Sequence, residues 1–491
     1  MPMLKKIATL VVFPAVMILQ SSAAEPGQDP GARKLPGREL MDEWQSLKYG
    51  MFLHFGMATF TGRADENAME NAAEPSKTYA PKTLDVDQWI RVARDAGMKY
   101  AVLTAKHSAG HCLWDSKVLF RGKEFDYDVA TSGNPADVVA EYVRACKKYK
   151  ITPGLYWCLL DFRNNSFDPV RQWFADKLPE DYYQFAQDQL TELIKNYPEV
   201  SYYWLDIPRA ASAEQRRFLY DMIKRLRPRT VVLFNHGLVP PQGSLSIGNS
   251  QAAWPTDVLN TERYPCSPGQ FAAAQAWQNK SYQVGYEHCD CLAKHWFWYE
   301  GDTPRPVYEL SRVYRGVIAA GGNLLLDVAP DRDGRIPDSS VKALMQLKQA
   351  TDDPSSFHAP VTLKAKATAS NFYRNDPNSR PEAALDGNTG TRWATDDGTK
   401  AAWLAVDLGK PTKVGSAFIL QAYPELERVK KFAIEYRDGD AWKVCYQGKS
   451  LGPSLNAVFK PVTAQQFRLN ITEASDGPTL WEFQLFEKNS K

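Results

Sequence analysis

Histidine and cysteine are both scarce in this 491-residue chain, seven of each, and neither sign of charge is in excess. An odd number of cysteines, at 112, 146, 158, 266, 289, 291 and 445, implies no disulfide framework. They read instead as small buried hydrophobes. A net charge of +2 gives no electrostatic case for nucleic acid or an anionic membrane as partner. No Gly-rich GxGxxG follows the first apolar strand, which weighs against dinucleotide binding. The N-terminal apolar run is too short to span about 30 Å of hydrocarbon, and no Cys follows it for lipidation. MPMLKKIATLVVFPAVMILQSSAAEPGQ has instead the parts of a secretory signal. Lys5 and Lys6 supply the charge, Ile7 to Leu19 the apolar part, and Ser22-Ala23-Ala24 the cleavage site. Residues 1–24 are therefore expected to be removed and the protein exported, periplasmic or secreted, with no membrane span.

What the chain has in abundance is aromatic, 12% of residues with 14 Trp and 23 Tyr; flat faces suit sugar rings and large cores alike. From residue 49 to about 350, apolar runs alternate with amphipathic segments such as LDVDQWIRVARDAGM and ADVVAEYVRACKKY. The predicted strands are 49–56, 100–106, 152–158, 200–207, 231–236, 282–287 and 323–330, with a weaker one at 258–263. Apolar strands separated by helices imply a parallel sheet covered on both faces. Nearly eight such units favour a (β/α)₈-like TIM barrel over an open sheet. After about residue 355 helical periodicity disappears. Short alternating runs bounded by Gly, Asn and Pro argue for an all-β sandwich. The expected division is 25–354 for the barrel and 355–491 for the sandwich.

In a barrel of this kind the chemistry sits at the C-terminal ends of the strands. His54, His107, His236 and His288 each stand at the end of a predicted strand, and His111 lies just beyond the second, so their shared placement favours a polar pocket. In YYWLDIP, Asp206 closes the fourth strand, either capping the next segment or serving as a functional carboxylate. Glu262 in VLNTERYP and Glu287 in VGYEHCDCLAKH are two further acids near the rim. Two carboxylates across a small pocket are the equipment of a glycosidase, one attacking the sugar carbon and the other donating a proton. A metal reading of EHCDCLAKH is weaker. One residue separates Cys289 from Cys291, where structural zinc sites use two to four, and in a strand His288 and Asp290 face away from them.

KYGMFLHFG, LDVDQWIRVARDAGMKYAVLTAKHSAGHCLWDSK, YYWLDIP and GGNLLLDVAPDRDGRIP together resemble glycoside hydrolase family 29, the retaining α-L-fucosidases. The resemblance implies Asp206 as nucleophile and Glu262 as acid/base, with Glu287 the alternative. It implies His54, His107, Trp204 and Tyr156 as sugar contacts, joined by His111 and Glu287 as candidates. No cofactor is implied for catalysis. The expected partner is a fucosylated oligosaccharide or glycoconjugate. This chain has His107-Ser108 where much of the family has two His, and His111 where it has Phe. These departures leave an L-galactoside open as substrate, since an apolar pocket rejects an added hydroxyl by only about 10². A catalytically silent glycan-binding protein is the alternative from another class.

ASNFYRNDPNSRPEAALDGNTGTRWATDDG, with AWLAVDLGKPTKVGSAFILQAY and LWEFQLFE, resembles the discoidin or coagulation-factor C-type sandwich. A barrel followed by such a domain is similar to the fucosidase branch that favours α-1,3 and α-1,4 linkages. The sandwich resemblance implies a structural Ca²⁺ on Asp386, Asn388, Thr391 and Glu482; carboxylate and amide oxygens suit that ion. An Asp-Gly-Asn turn without metal is the other reading.

Overall fold

The computed structural model describes residues 38–487, except 64, 68, 165–176, 236–254, 264, 267, 268, 270, 278, 279, 306, 353–359, 364, 388–390, 424, 425 and 453. The expected signal segment, the linker near 355, His236 and Asn388 therefore lie outside the described residues. Two compact units divide the chain, one of Met1–Asp302 with Arg315–Pro337, the other of Thr303–Tyr314 with Asp338–Lys491.

The first unit is built on eight parallel strands: β1 Tyr49–Leu53, β2 Tyr100–Lys106, β3 Thr152–Cys158, β4 Tyr202–Asp206, β5 Val231–Phe234, β6 Val258–Glu262, β7 Gly285–Cys291 and β8 Asn323–Asp327. They run in the order β5-β4-β3-β2-β1-β8-β7-β6, a near-barrel. Between β5 and β6 closure comes from one backbone bond and two side chains. Asp257 N–H donates to the Val232 carbonyl at 2.8 Å, Asp257 Oδ2 accepts from Val232 N–H at 2.8 Å, and Thr256 Oγ1 accepts from Phe234 N–H at 3.2 Å.

Strand side chains alternate in direction, so every second residue enters the barrel. Phe52, Tyr100, Val102, Tyr156, Cys158, Tyr202, Trp204, Val231, Leu233, Val258, Cys289 and Leu325 form one core, with a contribution from every strand. A helix, α1 (Arg38–Gln45), stoppers the N-terminal end. Its Trp44 lies edge-on to Tyr202 at 5.6 Å, and Gln45 bonds the Tyr286 carbonyl and Asn323. Burying each large apolar side chain is worth about 1.5–3 kcal/mol, so the lower barrel is a packed solid and only its upper rim can hold a ligand.

The predicted strand at 282–287 is corrected. Lys280–Gln283 pairs antiparallel with Ala274–Trp277, and the barrel strand begins at Gly285 and runs to Cys291. Glu287, His288 and Asp290 are charged or polar yet buried in this strand, so it does not read as an apolar run.

The second unit carries the expected antiparallel all-β fold: β9 Lys366–Ala369, β10 Trp393–Ala394, β11 Ala402–Gln421, β12 Val429–Asp438, β13 Ala441–Gly448, β14 Ser454–Ala474 and β15 Thr479–Glu487. The order is β10-β15-β11-β14-β12-β13, with β9 on β11. Register shifts near Asp407–Thr412 and Val414–Ser416 bend β11 against β14. Trp393, Leu404, Ile434, Phe467, Leu469 and Phe483 share its core.

Candidate active site

Alternation along β4 stacks Tyr202, Trp204 and Asp206 up one inner wall of the barrel. Asp206 is the last residue of the strand, so its carboxylate emerges at the rim. It accepts from Tyr156 Oη at 2.7 Å, from Asn235 Nδ2 at 2.9 Å and from the N–H of Ile207 at 2.9 Å. Ile207 is left-handed, φ 54° and ψ 55°, a costly conformation for a β-branched residue. Arg263, directly after Glu262, is left-handed too, at φ 62°. Strained backbone thus comes directly after both rim acids.

The same alternation carries Val258, Asn260 and Glu262 up β6. Asn235 Nδ2 donates to Glu262 Oε1 at 2.6 Å as well as to Asp206. One nitrogen therefore spans the two acids. The oxygens it touches stand no further apart than those two bonds laid end to end, about 5.5 Å, which is closer than the roughly 6.5–9.5 Å of inverting glycosidases. Burial, and then the Asp206 charge, push Glu262 up to about 7. Burial also raises Asp206, but the three donors oppose it. Asp206 thus has three donors that favour its charged form, while Glu262 has the Asp206 charge beside it, which favours the protonated one.

Around them lies a cavity of about 320 Å³ lined by Phe52, His54, Asp65, Asn67, His107, Tyr156, Trp204, Asp206, Ile207, Pro208, Arg209, Asn235, Glu262, Cys289 and Trp296. Ligand pockets span about 300–1,000 Å³, so there is room for one ring rather than a chain. Its walls are aromatic: Tyr156 stacks on His107 at 5.0 Å and on Trp204 at 5.4 Å. Both cavity histidines are pushed down to about 3 by burial and stay neutral. Ser108 N–H donates to His107 Nδ1 at 2.8 Å, which leaves the ring proton on Nε2. His54 Nδ1 shares a proton with Asp327 Oδ1 at 2.7 Å. Neutral imidazoles of fixed orientation suit sugar hydroxyls, which both donate and accept.

Among the predicted site residues, Asp206, Glu262, His54, His107, Tyr156 and Trp204 converge here. Glu287 does not. Register pairs Glu262 with Cys289, and Glu287 with Asn260, so Glu287 lies one side-chain layer deeper. There it accepts from Tyr100, Tyr202 and Trp204 Nε1 at 2.8, 2.8 and 2.9 Å, holding the Trp204 indole from below. His111 and Ser108 also fall outside the cavity lining. His111 stacks on Tyr79 and bonds Ser132 Oγ at 2.7 Å; Ser108 Oγ donates to Asn67. His288 points to the other face of β7, where Thr261 Oγ1 meets its Nδ1 at 2.8 Å. The rim histidines are thus two among those described.

Sequence reasoning missed Asn235, Trp296, Phe52 and the lip residues Asp65, Asn67 and Arg209. The position of Asn235, one residue past an apolar strand, was the one signal it carried. Trp296 lies in a loop after β7 and carried none. In the second unit, Thr391 Oγ1 donates to Asp386 Oδ2 at 2.7 Å, while Glu482 is buried. Among the described residues no group of three or more His, Cys, Asp or Glu is arranged to hold a metal ion. None of their helices is long and apolar enough to cross a membrane.

A parallel barrel with two bridged carboxylates at its rim, in a one-ring aromatic cup, defines a glycoside hydrolase. Residues 15–350 match the family model for alpha-L-fucosidase, and residues 366–483 that for the F5/8 type C domain. The chain belongs to the alpha-L-fucosidase family, glycoside hydrolase family 29. It is 25% identical over 461 residues to alpha-L-fucosidase 1 of Arabidopsis thaliana, covering 91% of this chain and 86% of that one. The fold is shared with alpha-L-fucosidase AlfC of Lactobacillus casei in complex with its α-L-fucose product (TM-score 0.51, 19% identity, 65% of this chain and 100% of that one). It is shared also with a Ruminococcus gnavus family 29 fucosidase in complex with fucose (TM-score 0.50, 21% identity, 96% and 97%).

Proposed function

We propose that the protein is an exported, retaining exo-α-L-fucosidase acting on α-1,3- and α-1,4-linked fucose. Asp206 attacks the anomeric carbon, and its new bond to C1 forms as the bond to the leaving oxygen breaks. Glu262 gives its proton to that oxygen. Water then attacks C1, Glu262 takes its proton, and Asp206 is released with the configuration restored. The observation that carries this reading is the single Asn235 nitrogen touching both acids, because direct attack needs the pair close. The one-ring cavity supports exo action. Fucose is favoured over L-galactose because Ser108 and His111, the two departures that left the second sugar open, do not line the cavity. The linkage rests on the attached F5/8 type C domain, and export on the N-terminal signal pattern.

Hydrolysis of an aryl α-L-fucoside followed by NMR tests the core of this reading. The first product expected is the α-anomer of fucose; the β-anomer appearing first would overturn retention, and no hydrolysis would leave a glycan-binding protein. An aryl α-L-galactoside run beside it should turn over more slowly. Digestion of defined fucosylated oligosaccharides should release 1,3- and 1,4-linked fucose and spare 1,2-linked fucose. The exported protein should begin at Glu25 by N-terminal sequencing.

A further inference from the structure

We infer that Asn235 is a positioning residue for both acids, a neutral amide that ties Asp206 to Glu262 and places the Glu262 proton on Oε2. The inference rests on the glycosidase reading above. A carboxylate only accepts, so the amide atom facing Asp206 has to be Nδ2, with its two hydrogens available to the two acids. Its other end is fixed: Asn260 Nδ2 donates to Asn235 Oδ1 at 3.0 Å. Asn260 enters the barrel one layer beneath Glu262 on β6 and is buried, so the amide cannot turn without breaking a buried bond. Asn235 N–H is itself held by the Leu205 carbonyl at 2.8 Å, one residue before Asp206.

A neutral donor has two consequences. With Glu262 Oε1 occupied as an acceptor, the proton it must deliver is left on Oε2. And a guanidinium here would hold both acids as anions, since a cation within a few ångströms favours the charged form; an amide steadies Asp206 yet lets Glu262 remain an acid. The bond to Asn235 lowers the pKa of each acid only against a larger rise from burial.

The test is Asn235→Ala and Asn260→Ala, assayed for kcat, KM and the pH profile of kcat/KM on an aryl α-L-fucoside, with Asp206→Ala beside them. Loss of a donor aimed at reacting charge costs about 10²-fold in kcat, expected for Asn235→Ala. Both limbs of the pH profile should move to higher pH, because each acid loses a bond to its charged form. Asn260→Ala should move the same limbs by less, and it carries the test if Asn235→Ala does not fold. Wild-type kcat and unmoved limbs in the folded variants, or a change confined to KM, overturn the inference. If Asp206→Ala itself turns over normally, the parent reading fails instead.

In the second unit, the Ca²⁺ implied by the sandwich resemblance does not fit the residues present. Arg312 Nη2 donates to the Gly387 carbonyl, and Nη1 lies 3.4 Å from Glu482 Oε1. The Glu482 oxygen is buried with no hydrogen-bond partner, and Gln484 Nε2 donates to its other oxygen. The geometry points to a guanidinium in the cation's place: Arg312 supplies the positive charge between Gly387 and Glu482 of β15, and the domain needs no calcium. Thermal unfolding of the full chain in EDTA and in millimolar CaCl₂ tests this. The expected midpoint for the sandwich is the same in both, whereas Arg312→Gln in EDTA falls by about 2–4 °C, the shift for losing the partner of a buried charge. A wild-type midpoint that rises with CaCl₂, or an Arg312→Gln midpoint equal to wild type, overturns it; the wild-type comparison stands alone if the variant does not fold.

Discussion

Glu262 and Glu287 stand on neighbouring strands of one barrel, the first half-buried and the second fully buried, and desolvation pushes each up to about 7. One layer of side chains separates them, and that layer separates reactivity from support. Glu262 faces a cavity, a second carboxylate and one amide. Glu287 faces two phenols and an indole, each donating to it, with Trp44 packed below. A raised pKa is thus a consequence of depth in the fold, and it marks a catalytic acid only where a reacting atom can reach it.

The pair can be pulled apart by substitution. The largest effect is expected at their common reference point: Asp206→Ala should lose about 10⁴–10⁶-fold in kcat on an aryl α-L-fucoside, measured against enzyme with an unchanged melting temperature. Glu262→Ala should lose about 10²–10⁴-fold and recover part of that with azide or an activated leaving group. Azide rescue in Glu287→Ala instead would exchange the two roles. In the wild type, kcat/KM should fall as pH rises through about 7, because Glu262 surrenders the proton it has to donate. It should fall again in acid as Asp206 becomes protonated. The alkaline limb should stay in place in Glu287→Gln; movement there would assign the proton to the lower layer. Smallest in activity, within about 10-fold, should be Glu287→Gln itself. It replaces an acceptor for three donors with a group that is half donor, so its cost of about 1–3 kcal/mol should be read in thermal unfolding.

The same contrast explains what could be read from residues alone. Asp206 was legible because β4 is apolar to its last residue, so a carboxylate there has to emerge at the rim. The barrel was legible for the same reason, in repeated apolar strands such as Tyr100–Lys106 and Asn323–Asp327. The strand Gly285–Cys291 was not, since Glu287, His288 and Asp290 break the apolar run while being satisfied in three dimensions. With its start misplaced, the depth of Glu287 was undetermined, and it stayed a rival to Glu262. Asn235 carried no charge and no motif. Its importance arises from lying between two acids 29 and 27 residues away, a proximity that only the closed sheet creates. His111 and His288 failed as rim residues because side-chain direction, not position along the chain, decides what faces a cavity.

The seam between β5 and β6 bears on all of this. Asp206 belongs to the bank that ends in β5, Glu262 to the bank that begins with β6, and Asn235 leaves the first to touch both. Because Thr256 and Asp257 side chains stand in for a backbone ladder there, the amide protons of Val232 and Phe234 should exchange with solvent ahead of those within β3 and β4. The gap between the two acids is therefore governed partly by a clasp outside the cavity, and weakening that clasp should loosen the chemistry without altering any group that meets the sugar.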